Sequence, residues 1–246
     1  MSRSSDFFKV QNWYPVLSPY TFNTLFVKLR REAVEALASV AGQEKNYPVN
    51  NAVSKQVITD LARPMADIPG SVFVFTDICA PTDTERFTDK GGAVFSPRSA
   101  WYFLTQSEKV CRAAADGNVE YIALRPYRHI SRAREFRLFI IDGRLMAMVQ
   151  YNLNRHYRRL EGVKERYYKK AEQFVSEIAW RLPVKELVMD IYITSDEDIL
   201  IFDLNPWGGN TDTLLLRSWE RDWSEPAGIV LMAPPTAIKG DVKVSF

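Results

Sequence analysis

Asp190, Asp203 and Asn205 are the side chains best placed to do chemistry together. They fall on two apolar runs, LVMDIYI and ILIFDLN, separated by a polar turn at Ser195 to Asp198. If the runs pair as a hairpin around that four-residue loop, Ile193 faces Leu200, Ile191 faces Phe202 and Met189 faces Leu204, so apolar meets apolar throughout. The same register sets Asp190 directly across from Asp203. Asn205 lies two residues further along that face, because strand side chains alternate with period two. Like charges directly opposite destabilise a sheet unless something neutralises them. Hard oxygens without His or Cys suit Mg²⁺, or Mn²⁺, better than zinc, and magnesium completes its shell with phosphate and water. The expected ligand is then a nucleotide phosphate. The plainer alternative is a solvated Asp at the sheet rim with Asn205 capping the turn before Pro206, and the local pattern leaves both open.

A second polar face comes from EFRLFII and RLMAMVQ, which flank Asp142-Gly143, a strong signal for a two-residue hairpin turn. That turn pairs Glu135 with Gln150 and Arg137 with Met148, so Glu135, Arg137 and Gln150 are expected to point one way. Leu138, Ile140, Leu145, Ala147 and Val149 are expected to point the other. A guanidinium on a rigid strand suits a bidentate grip on phosphate, with Glu135 orienting it or binding the nucleotide. A surface Glu and Arg pair is the bland alternative.

These residues need a sheet to hold them and helices to cover it. Ser71 to Ile78 and Tyr121 to Leu124 read as buried strands, the second ending at Arg125 and Pro126. Arg31 to Val40 and Val53 to Leu61 have helical apolar spacing, and Pro64, Pro69 and Gly70 close that region. Ser99 and Ser107 can each cap a short helix. From Lys164 to Leu182 the apolar spacing predicts a long amphipathic helix lying on a sheet, and a short helix is expected near Leu214 to Trp219. Phe7 to Phe26 mixes aromatics with Pro15 and Pro19 and reads as an irregular clamp. In it, Trp13 and Tyr14 either bind a partner or pack on the chain's own body. The fold class is α+β.

Composition excludes several functions. The 246 residues carry 46% hydrophobic side chains and a formal charge of +2, which fits a globular core and nominates neither nucleic acid nor membrane. Cys79 and Cys111 lie in unlike contexts without metal spacing and read as reduced thiols. No apolar h-region opens the sequence and no run approaches the ~20 residues that span a bilayer, so a cytoplasmic protein is expected. Arg155 to Lys170 is basic and tyrosine-rich. Glu161 and Glu165 interrupt it, so a solvated helix face is the economical reading and RNA binding the alternative. His129 and His156 stand far apart without metal spacing.

The order QNWYP, Thr21-Phe22, APTD, YIALR, EFRLF, DIYI, DLNP and TDTLLLRSWE resembles the cell division cycle protein 123 family, and the second half resembles an ATP-grasp fold. The resemblance implies a single ATP-grasp unit over 1–246. Its first lobe spans approximately 1–123, a nucleotide- and metal-binding lobe spans 124–246, and the nucleotide lies between them. It implies that Asp190, Asp203 and Asn205 hold magnesium and that Glu135 and Arg137 are strand residues near the ATP. Arg125 matches the arginine that closes the hinge strand. Gln150 is expected beside the nucleotide too, although the family's Gln-Arg-Asp is here Gln150, Tyr151 and Asn152. Two family lysines are replaced by Phe75 and Thr82, which weakens the expected phosphate grip of the first lobe. The implied function is ATP-dependent assembly of a protein complex, with a translation initiation factor as client in eukaryotic relatives. The alternative is a ligase acting on a carboxylate through an acyl phosphate.

Overall fold

The structure, a computed structural model, describes residues 6–41 and 51–235. It comprises two compact units, one of residues 1–130 with 200–204, the other of residues 131–199 with 205–246. The lobe boundary expected near residue 124 falls inside a strand of the first unit.

The first unit is built on a four-stranded antiparallel sheet of β1 (Leu25–Lys28), β2 (Val72–Thr76), β3 (Ala93–Val94) and β4 (Tyr121–Pro126), in the order β1-β4-β2-β3. The strands β2 and β4 are central, which is why VFVFT and YIAL are almost continuously apolar. Helices α2 (Arg31–Ala38), α3 (Ala52–Ala66), α5 (Pro97–Thr105) and α6 (Glu108–Ala115) share its core through Leu37, Leu61, Trp101 and Leu104; α4 (Glu85–Lys90) is a short helix of the β2–β3 connection. The buried Trp101 indole donates to Ser54 Oγ at 3.0 Å. Ser107 caps α6 as expected. The cap of α5 is Ser96 rather than Ser99, which serves as its reciprocal partner, because Pro97 suits the first helical position. Pro64 does not end α3; in the last turn its missing N–H costs only one ladder bond. The entry segment, expected to be irregular, forms helix α1 (Val10–Leu17) with Pro15 inside it.

The other sheet has five strands ordered β8-β7-β5-β6-β9, with β5 (Glu135–Ile141), β6 (Arg144–Gln150), β7 (Glu186–Ile193), β8 (Ile199–Pro206) and β9 (Gly228–Val230). The β5–β6 turn has φ of +47° at Asp142 and +74° at Gly143, as a two-residue primed turn requires. Ile140 pairs with Leu145, but Phe139 pairs with Ala147, so Met146 is an extra residue in a bulge. The register beyond it slips by one. Arg137 pairs with Val149, and Phe136 with Gln150. Gln150 therefore lies on the face opposite Arg137, contrary to the simple turn count.

Both faces of this sheet are covered. After α7 (Arg158–Glu161), α8 (Lys164–Ile178) lies on the face of Phe136, Leu138 and Met148, with Tyr167 edge-on to Phe136 at 6.0 Å. On the other face Phe139, Ala147, Val149 and Val188 meet Trp207, Trp219 and Trp223, whose ring centroids lie 6.1, 5.6 and 5.7 Å from that of Phe139. The expected terminal helix is only a 3-10 turn, Leu214–Leu216. Among the described residues no helix is long and apolar enough to cross a membrane.

Phe139→Ala should leave a cavity among three tryptophans and cost about 3–5 kcal/mol. Urea unfolding followed by tryptophan fluorescence should show a lower midpoint, and an unchanged midpoint would contradict this packing.

Candidate functional site

In the second unit the site is organised by Arg137. Its partner across the β5–β7 ladder is Asp190. Arg137 Nε and Nη2 donate to the two Asp190 carboxylate oxygens at 2.7 and 2.8 Å, and Nη1 donates to the Asp212 carbonyl at 2.7 Å. Both side chains are buried. Burial works against the guanidinium charge, but the hydrogen bonds and the charge of Asp190 outweigh it and hold Arg137 above its usual pKa. The Tyr151 ring lies 5.2 Å from the guanidinium carbon. The fork expected to grip phosphate is thus already occupied, and the charge of Asp190 is balanced within the sheet instead of awaiting a dication.

Asn205 Nδ2 donates to Asp190 Oδ2 at 3.1 Å, which fixes the amide and leaves its carbonyl oxygen for another partner. The loop that follows is pinned by Arg137 at Asp212 and by Thr211, whose hydroxyl donates to the Pro206 carbonyl. It stores strain, with φ of +53° at Leu214 and +67° at Arg217.

The β7–β8 turn closes more tightly than expected. Thr194 N donates to the Asp198 carbonyl, Glu197 N donates to the Thr194 carbonyl, and Glu197 is left-handed at φ +67°. Only Ser195 to Glu197 are looped out. Burial along β8 then alternates at Ile199 and Ile201, but Phe202 and Asp203 are both half-buried before Leu204 is buried again. The parity changes once, and Asp203 shares a side of the strand with Asn205. Asp203 Oδ1 accepts from its own chain at Leu204 N, 2.9 Å.

Glu135 begins β5, and burial raises its carboxyl pKa, with Arg132 pulling it down and Asp190 pushing it up. Gln150 serves the opposite face. Its amide donates to the carbonyls of Asn152 and Arg155 at 2.6 and 3.0 Å and accepts from Met232 N at 3.2 Å, so it fastens chain segments and is not available to a nucleotide near Arg137.

In the first unit Arg125 is the notable group. It ends β4 in a buried position, with Nε donating to Thr24 Oγ1 at 2.9 Å and Nη1 to the Phe202 carbonyl at 3.1 Å. Its plane lies 4.6 Å from the Phe75 ring centroid and 5.9 Å from that of Phe22, which stacks on Phe202. Nη2 is buried without a hydrogen-bond partner among the described residues. Burial lowers the Arg125 pKa to about 10, with Asp203 holding it up. A buried, unpaired N–H fits an anionic or oxygen-rich ligand.

Trp13 and Tyr14 do not offer an open partner surface. Trp13 is 2% exposed in the core beneath α1. The Tyr14 hydroxyl donates to Asn23 Oδ1 and accepts from Thr24 N, and its ring packs on Phe26 at 5.3 Å. Sequence reasoning missed Thr24, Asp212 and Tyr151, whose contacts depend on loops and register.

Among the described residues no group of three His, Cys, Asp or Glu is placed to hold a metal.

Fold and side chains together define an α+β protein whose buried arginines organise carboxylate and amide oxygens on antiparallel strands. Residues 68–225 match the D123 family model, and the chain belongs to that family. It is 33% identical over 172 residues to a translation initiation factor eIF2 assembly protein of Xenopus laevis, covering 55% of this chain and 51% of that one. It is 25% identical over 238 residues to a putative CDC123-like protein of Acanthamoeba polyphaga mimivirus, covering 87% and 69%. The chain spans about half the length of the curated frog relatives it matches. Cdc123 from Schizosaccharomyces pombe superposes with a TM-score of 0.79 at 18% identity, over 96% of this chain and 99% of that one. That likeness shows the fold, and the α+β class is the one expected.

Arg137→Met should leave Asp190 buried without its counter-charge and cost about 3–5 kcal/mol. The double variant Arg137→Met with Asp190→Leu should recover most of that loss. Chemical denaturation of the four species of this cycle measures it, and strictly additive losses would contradict the pairing.

Proposed function

We propose that this chain binds Mg-ATP in the manner of an ATP-grasp protein and acts as an assembly factor for a protein complex, in the cytoplasm. The observation that carries the nucleotide reading is the buried Arg125 Nη2, an unpaired donor whose charge is coupled to Asp203. On this reading Asp203 would hold the magnesium, which would supply charge to neutralise phosphate. Arg137 has a different task from the one first expected: it orients Asp190, and through Asp190 the Asn205 amide, and does not grip phosphate itself. Glu135, whose carboxyl pKa burial raises, is the strand residue expected beside the nucleotide.

The assembly role rests on family membership and on relatives named as eIF2 assembly proteins. The client is then a translation initiation complex of the same kind.

Calorimetry should show Mg-ATP binding to the wild-type chain and a loss of roughly 100-fold or more in affinity for Asp203→Asn. Asparagine retains the acceptor for Leu204 N, so the unfolding free energy should shift by less than about 1 kcal/mol. Equal affinity of the two proteins would overturn the site. Affinity capture from native cells should recover a translation GTPase, and repeated recovery of none would overturn the client assignment.

A further inference from the structure

Two connections of the second unit carry a group of arginines that the site described above does not use. One is the 3-10 turn Arg132–Arg134 that leads into β5; the other runs from the end of β6 into α7. Residues 131–134 and 151–160 together hold Arg132, Arg134, Arg155, Arg158 and Arg159, with no carboxylate and no lysine. The fold brings the two connections together. Arg159 Nη2 donates to Ser131 Oγ at 3.0 Å, and Tyr151 N donates to the Glu135 carbonyl at 3.1 Å. Arg134 N closes its turn on the Ser131 carbonyl at 2.8 Å, and the Gln150 amide fastens the Arg155 carbonyl at 3.0 Å. Ala133 and Leu160 are buried, so each connection is anchored from inside.

The backbone is held, but the charges are not answered. Arg132, Arg155, Arg158 and Arg159 are exposed and Arg134 is half-buried. Among the described residues none of the five forms an ion pair, and the partner of Arg159 is a neutral hydroxyl. The neighbouring acids are engaged or set back: Glu161 pairs with Lys164 at 3.4 Å, and Glu135 is half-buried at the start of β5. Exposed arginines elsewhere do find partners, Arg31 at Glu35, Arg112 at Glu108 and Arg166 at Glu197, each at 2.7 Å. Like charges held close without a counter-charge repel one another, and a bound anion removes that cost.

We propose that this arginine cluster is a docking surface for an acidic segment of a partner protein, whose Asp and Glu side chains it grips through guanidinium forks. A planar fork matches a carboxylate with two parallel hydrogen bonds, which an ammonium cannot do, and the cluster is built of arginine alone. Nucleic acid fits it less well. Single strands are held by bases stacked on open aromatic faces, whereas Tyr151 and Tyr157 already pack on guanidinium groups, 5.2 Å from that of Arg137 and 5.5 Å from that of Arg155. A long polyanion would also run past the cluster onto a chain whose formal charge is only +2. The surface goes beyond the Mg-ATP reading and does not rest on it.

Fluorescence anisotropy with the full chain tests this with labelled probes: a glutamate-serine repeat peptide, its glutamine-serine counterpart, and a single-stranded oligouridine of the same charge as the first. The wild type should bind the glutamate peptide roughly tenfold or more tighter than the glutamine one, with affinity falling as salt rises. The triple variant Arg155→Gln, Arg158→Gln, Arg159→Gln should lose roughly tenfold or more for the glutamate peptide. The matching triple Arg→Lys variant keeps the charge without the fork and should fall between the two. Arg132→Gln with Arg134→Gln, on the other connection, should also weaken binding, which keeps the test independent of the folding of any one variant. Arg31→Gln with Arg112→Gln, exposed arginines of the first unit, should stay within about twofold of wild type. Equal affinity for the two peptides, full affinity in the triple Arg→Gln variant, tighter binding of oligouridine than of the glutamate peptide, or an equal loss in the Arg31 and Arg112 control would each overturn the proposal.

Discussion

The second unit depends on one buried ion pair. Arg137 and Asp190 face each other on neighbouring strands with both side chains removed from water, and either alone would carry a desolvation cost of several kcal/mol. Their two parallel hydrogen bonds offset that cost only because the remaining groups are also satisfied: Nη1 by the Asp212 carbonyl, and Asp190 Oδ2 by the Asn205 amide. One interaction thereby sets the strand β7 against β5, aims the end of β8, and anchors the strained loop after Pro206. A pair of well-packed apolar residues could hold the sheet about as well. What such residues could not do is fix the direction of an amide, so the pair is better understood as a positioning device than as a source of stability.

Much of the fold was legible because the sequence patterns that encode it are local. The Asp142-Gly143 turn, the α8 stripe and the Ser107 cap each depend on residues within a few positions of one another, and all three stand in the structure. The bulge at Met146 was not legible. In a half-exposed strand an extra residue breaks the alternation of apolar and polar side chains, but here Leu145, Met146, Ala147, Met148 and Val149 are all buried, since helix covers one face and tryptophans the other. With no polar marker on either side, a one-residue slip leaves no trace, and Gln150 was assigned to the wrong face. The β7–β8 turn hid in a different way. Its left-handed residue is Glu197, where glycine or asparagine would ordinarily announce the conformation. Likewise Pro15 and Pro19 suggested irregular chain where α1 forms, because proline within a short helix costs a bond that burial of Trp13 and Leu17 outweighs.

The candidate site was half legible for a related reason. Oxygen-bearing residues on strands can be read from their alternation, and Asn205 does reach Asp190. The error lay in the electrostatics. The carboxylates were taken to need a dication because no counter-charge was visible nearby in sequence, yet Asp190 finds one in Arg137, 53 positions earlier. Strand order decides such pairings, and strand order is not a local property. Arg125 illustrates the converse, since its neighbours Thr24, Phe75 and Phe202 come from three distant segments and only their assembly shows that one donor has been left open.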